Sequence, residues 1–146
     1  LVEGSIYAFI ATIGFGILFN IRGRNLFIAA LGAGISWFCY LFTMKLTSST
    51  FLAYFLASIT AGVFSEVMAR ILKTPATTFV ICGIIPLVPG SGMYYSMYEI
   101  IKGNASKALN LSLETLSIAG AVALGILFAT SMIKIITYKK NNHVTS

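Results

Sequence analysis

Aspartate and glutamine are missing altogether from the 146 residues, and histidine occurs once, as His143. The acidic residues are four glutamates, Glu3, Glu66, Glu99 and Glu114, and charged residues make up only 10% of the chain, where a soluble domain carries roughly 25%. These scarcities remove most of the side chains from which metal sites and acid–base pairs are built, so no metal, no cofactor and no enzymatic activity is expected. The two cysteines, Cys39 and Cys82, have neither a CxxC spacing nor a histidine beside them and read as packing residues. Gly90-Ser-Gly92 begins like a dinucleotide fingerprint, but its third glycine would fall on Tyr95 and no strand precedes it. A phosphate-binding Gly-x-x-x-x-Gly-Lys-Ser/Thr loop is also missing, so the chain has no ATPase of its own.

What fills the sequence instead is apolar: 58% of the residues are hydrophobic and the mean hydropathy is +0.90. They are gathered in runs of about 18 to 25, the length that crosses a hydrocarbon layer about 30 Å thick. The expected fold is therefore all-α, a polytopic helical membrane protein with about five transmembrane helices. Their expected spans are 2–20, 26–44, 50–69, 76–101 and 107–138, followed by a polar tail over 139–146. The first run is followed by Arg22 and Arg24 instead of a small-residue cleavage site, and so reads as a retained helix and not a signal peptide.

The net charge of +6 comes from ten basic residues scattered in ones and twos at the ends of these runs. That pattern is a topology signal, not a phosphate-binding face, and no nucleic acid partner is expected. With the N-terminus outside, Arg22, Arg24, Arg70, Lys73, Lys139 and Lys140 all fall in the cytoplasm, while Lys45, Lys102 and Lys107 lie outside. The opposite orientation inverts that ratio. A re-entrant fourth run would reverse the last helix and carry the tail outside.

The informative polarity lies within the apolar runs. Pro86 and Pro89 lack amide hydrogens, and Gly90 and Gly92 tolerate dihedrals that other residues avoid, so the fourth helix is expected to break across 86–92. Irregular backbone at membrane depth survives only where protein or a water-filled cavity covers it. Pro86, Pro89, Gly90, Ser91 and Gly92 are therefore candidates for substrate binding. Ser91 is placed as the N-cap of a half-helix whose Tyr94 and Tyr95 could line a polar pocket. Tyr98, beside Glu99 and Lys102, reads as part of an interfacial aromatic belt. Glu66 precedes Arg70 by four residues, the spacing of a helical ion pair. Glu114 lies at least a turn inside the last run with Asn110 and Ser117 on its face, expected to point inward, where a carboxylate can take up and release a proton. The alternative is a glutamate that snorkels to water or pairs with Lys107. Alanines at 53, 57 and 61 and the row Ala121, Gly125, Ala129 are small-residue stripes, for plain helix packing or for a sliding contact.

Over essentially its whole length the chain resembles the threonine/serine exporter family, in its smaller, C-terminal-type half. The matching segments are Gly14-Phe-Gly-Ile-Leu-Phe-Asn20, Leu31-Gly-Ala-Gly-Ile-Ser-Trp37, Ile85-Pro-Leu-Val-Pro-Gly-Ser-Gly92 and a small-residue last helix ending Tyr138-Lys-Lys140. The resemblance implies secondary transport across the bacterial cytoplasmic membrane, either export of threonine and serine or, in small two-chain members, of a dicarboxylate such as succinate. It also implies a hetero-oligomer in the lipid bilayer with a larger membrane subunit of the same family. A non-transporting assembly subunit and a small channel are the competing readings. A reporter fused after Ser146 should be active only on the cytoplasmic side; activity confined to the external side would refute this orientation.

Overall fold

A computed structural model describes residues 2–142, with side chains placed as far as Thr137, so His143 lies outside the described residues. Six helices follow one another: α1 (Val2–Leu18), α2 (Arg24–Thr47), α3 (Thr50–Leu72), α4 (Ala76–Ile84), α5 (Gly90–Ile101) and α6 (Ala105–Asn142). A 3-10 turn, Ile85–Leu87, stands between α4 and α5. The stops are local. Gly23 takes φ 64° before α2, and Ser48 and Lys73 end α2 and α3 in the left-handed region, their amides returning to the carbonyls of Met44 and Ala69. Pro75 then sets the start of α4. At the far end α6 continues through Lys139 and Lys140 to Asn142, where the sequence suggested a tail; lysine costs a helix little more than alanine does.

The chain is a polytopic helical membrane protein. Three helices, α2, α3 and Ala105–Thr137 of α6, are long and apolar enough to cross a bilayer, and α4 with α5 makes a fourth if the pair, bent by 49°, is one span. Of the expected first span, 2–20, the described residues give a shorter apolar helix, α1, of 17 residues, about 26 Å long.

Contacts between helices fix their directions. Gly16 of α1 meets Leu26 and Gly4 meets Leu41, so α1 and α2 are antiparallel; Gly32 against Phe64 and Tyr40 against Tyr54 make α2 and α3 antiparallel. Ser58 faces Gly125, Gly62 faces Ala129 and Arg70 bonds Thr137, a constant offset that makes α3 and α6 parallel. Helix α4 runs against α3, with Phe79 near Ala69 and Gly83 on Ala61. Helix α5 runs against α6, with Gly92 on Thr115 and Glu99 on Lys107. Consequently α4 and α5 point the same way past their bend, and the segment does not fold back on itself.

The same offset sets Thr50, the first residue of α3, level with Ser117. The first turns of α6 and the whole of α5 therefore extend beyond the end of α3 as an antiparallel hairpin. Below that level the bundle is held by small residues: Ala53, Ala57, Ala61 and Gly62 of α3 are all buried, Ala57 packing with Val122 of α6, Gly62 lying on Ala129 beside the Ser58–Gly125 contact, and Ala61 meeting Gly83 of α4. Helices in lipid associate mainly through such close backbone approach. A side chain on Gly125 would drive into the Ser58 hydroxyl and stand 2.7 Å from the Phe55 carbonyl oxygen, whereas Gly120 has open space. Gly125→Val should lower the thermal stability of the purified chain by about 1–3 kcal/mol. Gly120→Ala should leave it unchanged or raise it slightly. Equal melting curves for the two variants would refute this packing.

Candidate functional site at the helix break

The break is made by proline chemistry. Pro86 has no N–H to return to the carbonyl of Cys82, and Pro89 has none for Ile85. The backbone repairs part of the loss: the Val88 amide donates to Ile84 O at 3.1 Å and Ile85 O at 3.3 Å, and the Gly90 amide to Val88 O at 2.8 Å. Val88 itself is extended, with ψ 126°. No such repair reaches Cys82 from Pro86, so its carbonyl is left without its normal helical donor. On the other side α5 opens with the amides of Ser91 and Gly92 in its first turn, where no helical acceptor exists.

Leu87 carries the break into the interior. It is fully buried with Ala57 and Val122, and Trp37, Tyr40, Tyr54 and Ile126 close around them. The rings form a continuous wall, Trp37 to Tyr40 at 4.9 Å and Tyr40 to Tyr54 at 4.6 Å between centroids. The Tyr54 hydroxyl lies beside that of Tyr40 and within electrostatic reach of Glu114. On the opposite side the buried face of α1 is Ala8, Thr12 and Gly16. Gly16 lies against Cys82, so one turn earlier Thr12 is level with Pro86. The Thr12 hydroxyl is 0% exposed and has no hydrogen-bond partner. Leaving such a group unsatisfied costs about 1–3 kcal/mol. By contrast, Ser36, Thr43, Ser65, Ser112, Thr115 and Thr137 each donate to the carbonyl four residues before them.

The residues expected to form the site are divided by this arrangement. Pro89 is buried and Pro86 and Gly92 half-buried, while Gly90, Ser91, Tyr94 and Tyr95 are exposed. Ser91 is not the N-cap: Pro89 holds that position, no side chain caps the helix, and Ser91 falls in its first turn because the backbone re-enters helix at Gly90. The tyrosines stack along the outside of α5, Tyr94 on Tyr98 at 6.2 Å and edge-on to Tyr95 at 5.3 Å. Their hydroxyls do not face the chain's own interior.

The expectation that Asn110, Glu114 and Ser117 point inward is also corrected, since all three are exposed. The reason is the register. Their stripe continues upward from Ala121 and Gly125, but α3, which covers it below, starts level with Ser117. Nothing in the described chain covers the stripe above that level. Lys107 is not the partner of Glu114 either. It donates to Glu99 at 3.0 Å, and the Asn104 side-chain amide donates to the other Glu99 oxygen at 2.9 Å. This makes Glu99, only 7% exposed, the clasp of the α5–α6 turn. Lys102 lies over the Tyr98 ring at 4.4 Å, and Glu66 meets Arg70 at 3.8 Å.

Three residues that sequence reasoning did not single out belong beside the break: Thr12, Tyr40 and Tyr54. Tyrosine at the seventeenth position of a 24-residue apolar helix is too deep for an interfacial belt, and that depth was the available signal for Tyr40. Thr12 had none, because a threonine in an apolar helix ordinarily bonds its own backbone. Among the described residues no group of three or more His, Cys, Asp or Glu could hold a metal ion. No curated protein and no solved structure matches the chain. The family described as Threonine/Serine exporter, ThrE does match, over residues 4–132, which include the break, the aromatic wall and Glu114. The chain belongs to the threonine/serine exporter family.

Proposed function

We propose that this chain is the smaller membrane subunit of a secondary transporter that exports threonine and serine across the bacterial cytoplasmic membrane. It works beside a larger membrane subunit of the same family, with its N-terminus outside and its C-terminus in the cytoplasm. One observation carries the two-subunit reading. Asn110, Glu114 and Ser117 stand uncovered on a helix apolar enough to cross the bilayer, and a carboxylate in that setting needs a protein or water neighbour. A second subunit seated above the start of α3 supplies one. The interior break supports transport, because discontinuous helices at membrane depth are how carriers present free amides and carbonyls to small polar solutes. The amides of Ser91 and Gly92 suit a carboxylate group, whether of an amino acid or of a dicarboxylate such as succinate.

Proton coupling is assigned to Glu114, with Asn110 one turn away. Movement of the two subunits carries this side chain between water and the protein interface, and carboxylates in general hold a proton more readily away from water. Alternating access is then a relative motion of the two subunits around the break.

The deciding measurement is efflux of labelled threonine, serine and succinate from cells that hold the larger subunit, with and without this chain. Faster saturable efflux of threonine and serine with the chain is expected; equal efflux would rule out the transport role. Loss of the partner without the chain, with normal flux once partner levels are restored, would favour an assembly subunit. Glu114→Gln should flatten the dependence of threonine efflux on pH and slow it about tenfold or more. An unchanged pH profile would remove Glu114 from the coupling.

A further inference from the structure

The seam between α1 and α4 carries buried polarity about two turns above an opening at its foot. Helix α1 packs along α2 and touches α4 and the 3-10 turn only lightly. At the foot of the seam a cleft of about 170 Å³ is lined by Phe19, Ile21, Thr77, Thr78 and Ile81. It lies next to the Arg22 and Arg24 turn, the end that the charge pattern places in the cytoplasm. One to two turns above it are Gly16 and Cys82, and above those are Thr12 and Pro86. The α2 residues at this height are Ala29, Ala30 and Ala33, all buried and without side-chain hydrogen-bonding groups. The Thr12 hydroxyl and the carbonyl that Pro86 leaves without its helical donor therefore sit on the same seam, one unpaired and the other short of its donor.

We propose that Thr12 and the Cys82 carbonyl form the point at which the side-chain hydroxyl of a β-hydroxy amino acid is recognised. The proposal rests on the export reading and adds a specificity residue to it. A substrate hydroxyl both accepts and donates, so it can accept a hydrogen bond from the Thr12 hydroxyl and donate one to the Cys82 carbonyl oxygen. A buried hydroxyl with no partner destabilises a fold, and valine would fill the same volume without that loss. Its retention is accounted for by a partner that arrives with the substrate. A pocket built to bond a hydroxyl also rejects the analogue that lacks one, because its own polar groups are then left unpaired. Valine is that analogue for threonine, and alanine for serine.

The test compares Thr12→Val and Thr12→Ser in cells holding the larger subunit, with efflux of labelled threonine and valine normalised to the amount of chain in the membrane. Thr12→Val should lower threonine efflux about tenfold and raise the valine-to-threonine ratio, while its melting temperature stays level or rises. Thr12→Ser should keep the wild-type ratio. Wild-type threonine efflux in Thr12→Val, an equal fractional loss of both solutes, or an equal loss in both variants would each overturn the assignment. If Thr12→Val fails to accumulate, Thr12→Ala is read by the same criteria. A wild-type complex that exports neither threonine nor serine would instead defeat the export reading itself, and this assignment with it.

Discussion

Inside a hydrocarbon layer a peptide group has no water to bond, so every amide and carbonyl must find its partner within protein. The rest of this structure is arranged around that constraint at one place, the stretch from Ile84 to Gly92. Two prolines withdraw two donors there, and the chain answers with a short 3-10 turn, a bifurcated bond from Val88 and a tight return from Gly90. Leu87 is then driven into the bundle, and Ala57, Val122 and the Trp37–Tyr40–Tyr54 wall are shaped to receive it. The wall supplies aromatic surface and hydroxyls together, so the irregular backbone is enclosed by groups that tolerate polarity. What remains unsettled after this repair is small: the carbonyl of Cys82, the first amides of α5 and the Thr12 hydroxyl. These are the groups a polar solute could address.

Most of the fold could be read from the sequence, because membrane helices declare themselves by length and by the charges at their ends. The break was legible for the same elementary reason: Pro86-Leu-Val-Pro89-Gly90 cannot continue a helix. The Glu66–Arg70 pair followed from spacing alone. What escaped was everything that depends on how far one helix extends past another. The inward face assigned to Glu114 was sound as helical geometry and failed only because α3 begins too low to cover it. Lys107 lies seven residues before Glu114, two turns along the same helix, but its partner is Glu99 across the α5–α6 turn. Thr12 looked like any helical threonine until its hydroxyl was seen without a partner.

The family match and the geometry contribute different things. Membership in the threonine/serine exporter family names a class of solute and a transport activity. The geometry gives unpaired polar groups inside the chain, and it shows a carboxylate that the described residues do not cover. Neither would give the other. A broken helix in a bundle fits a channel as well as a carrier, and a family name does not choose between Ser91 on the outside of α5 and Thr12 under α1.

The α5–α6 hairpin is pinned at both ends, by Glu99 with Lys107 at its turn and by Gly92 against Thr115 at its base. Its join to α4 is the bend beside Pro89. Below Ser117 the same helix α6 rests on α3 through close backbone contacts, Ser58 on Gly125 and Gly62 on Ala129. One helix therefore belongs to two packing units, the bundle below the break and the hairpin above it, and the level of Ser117 is where they meet.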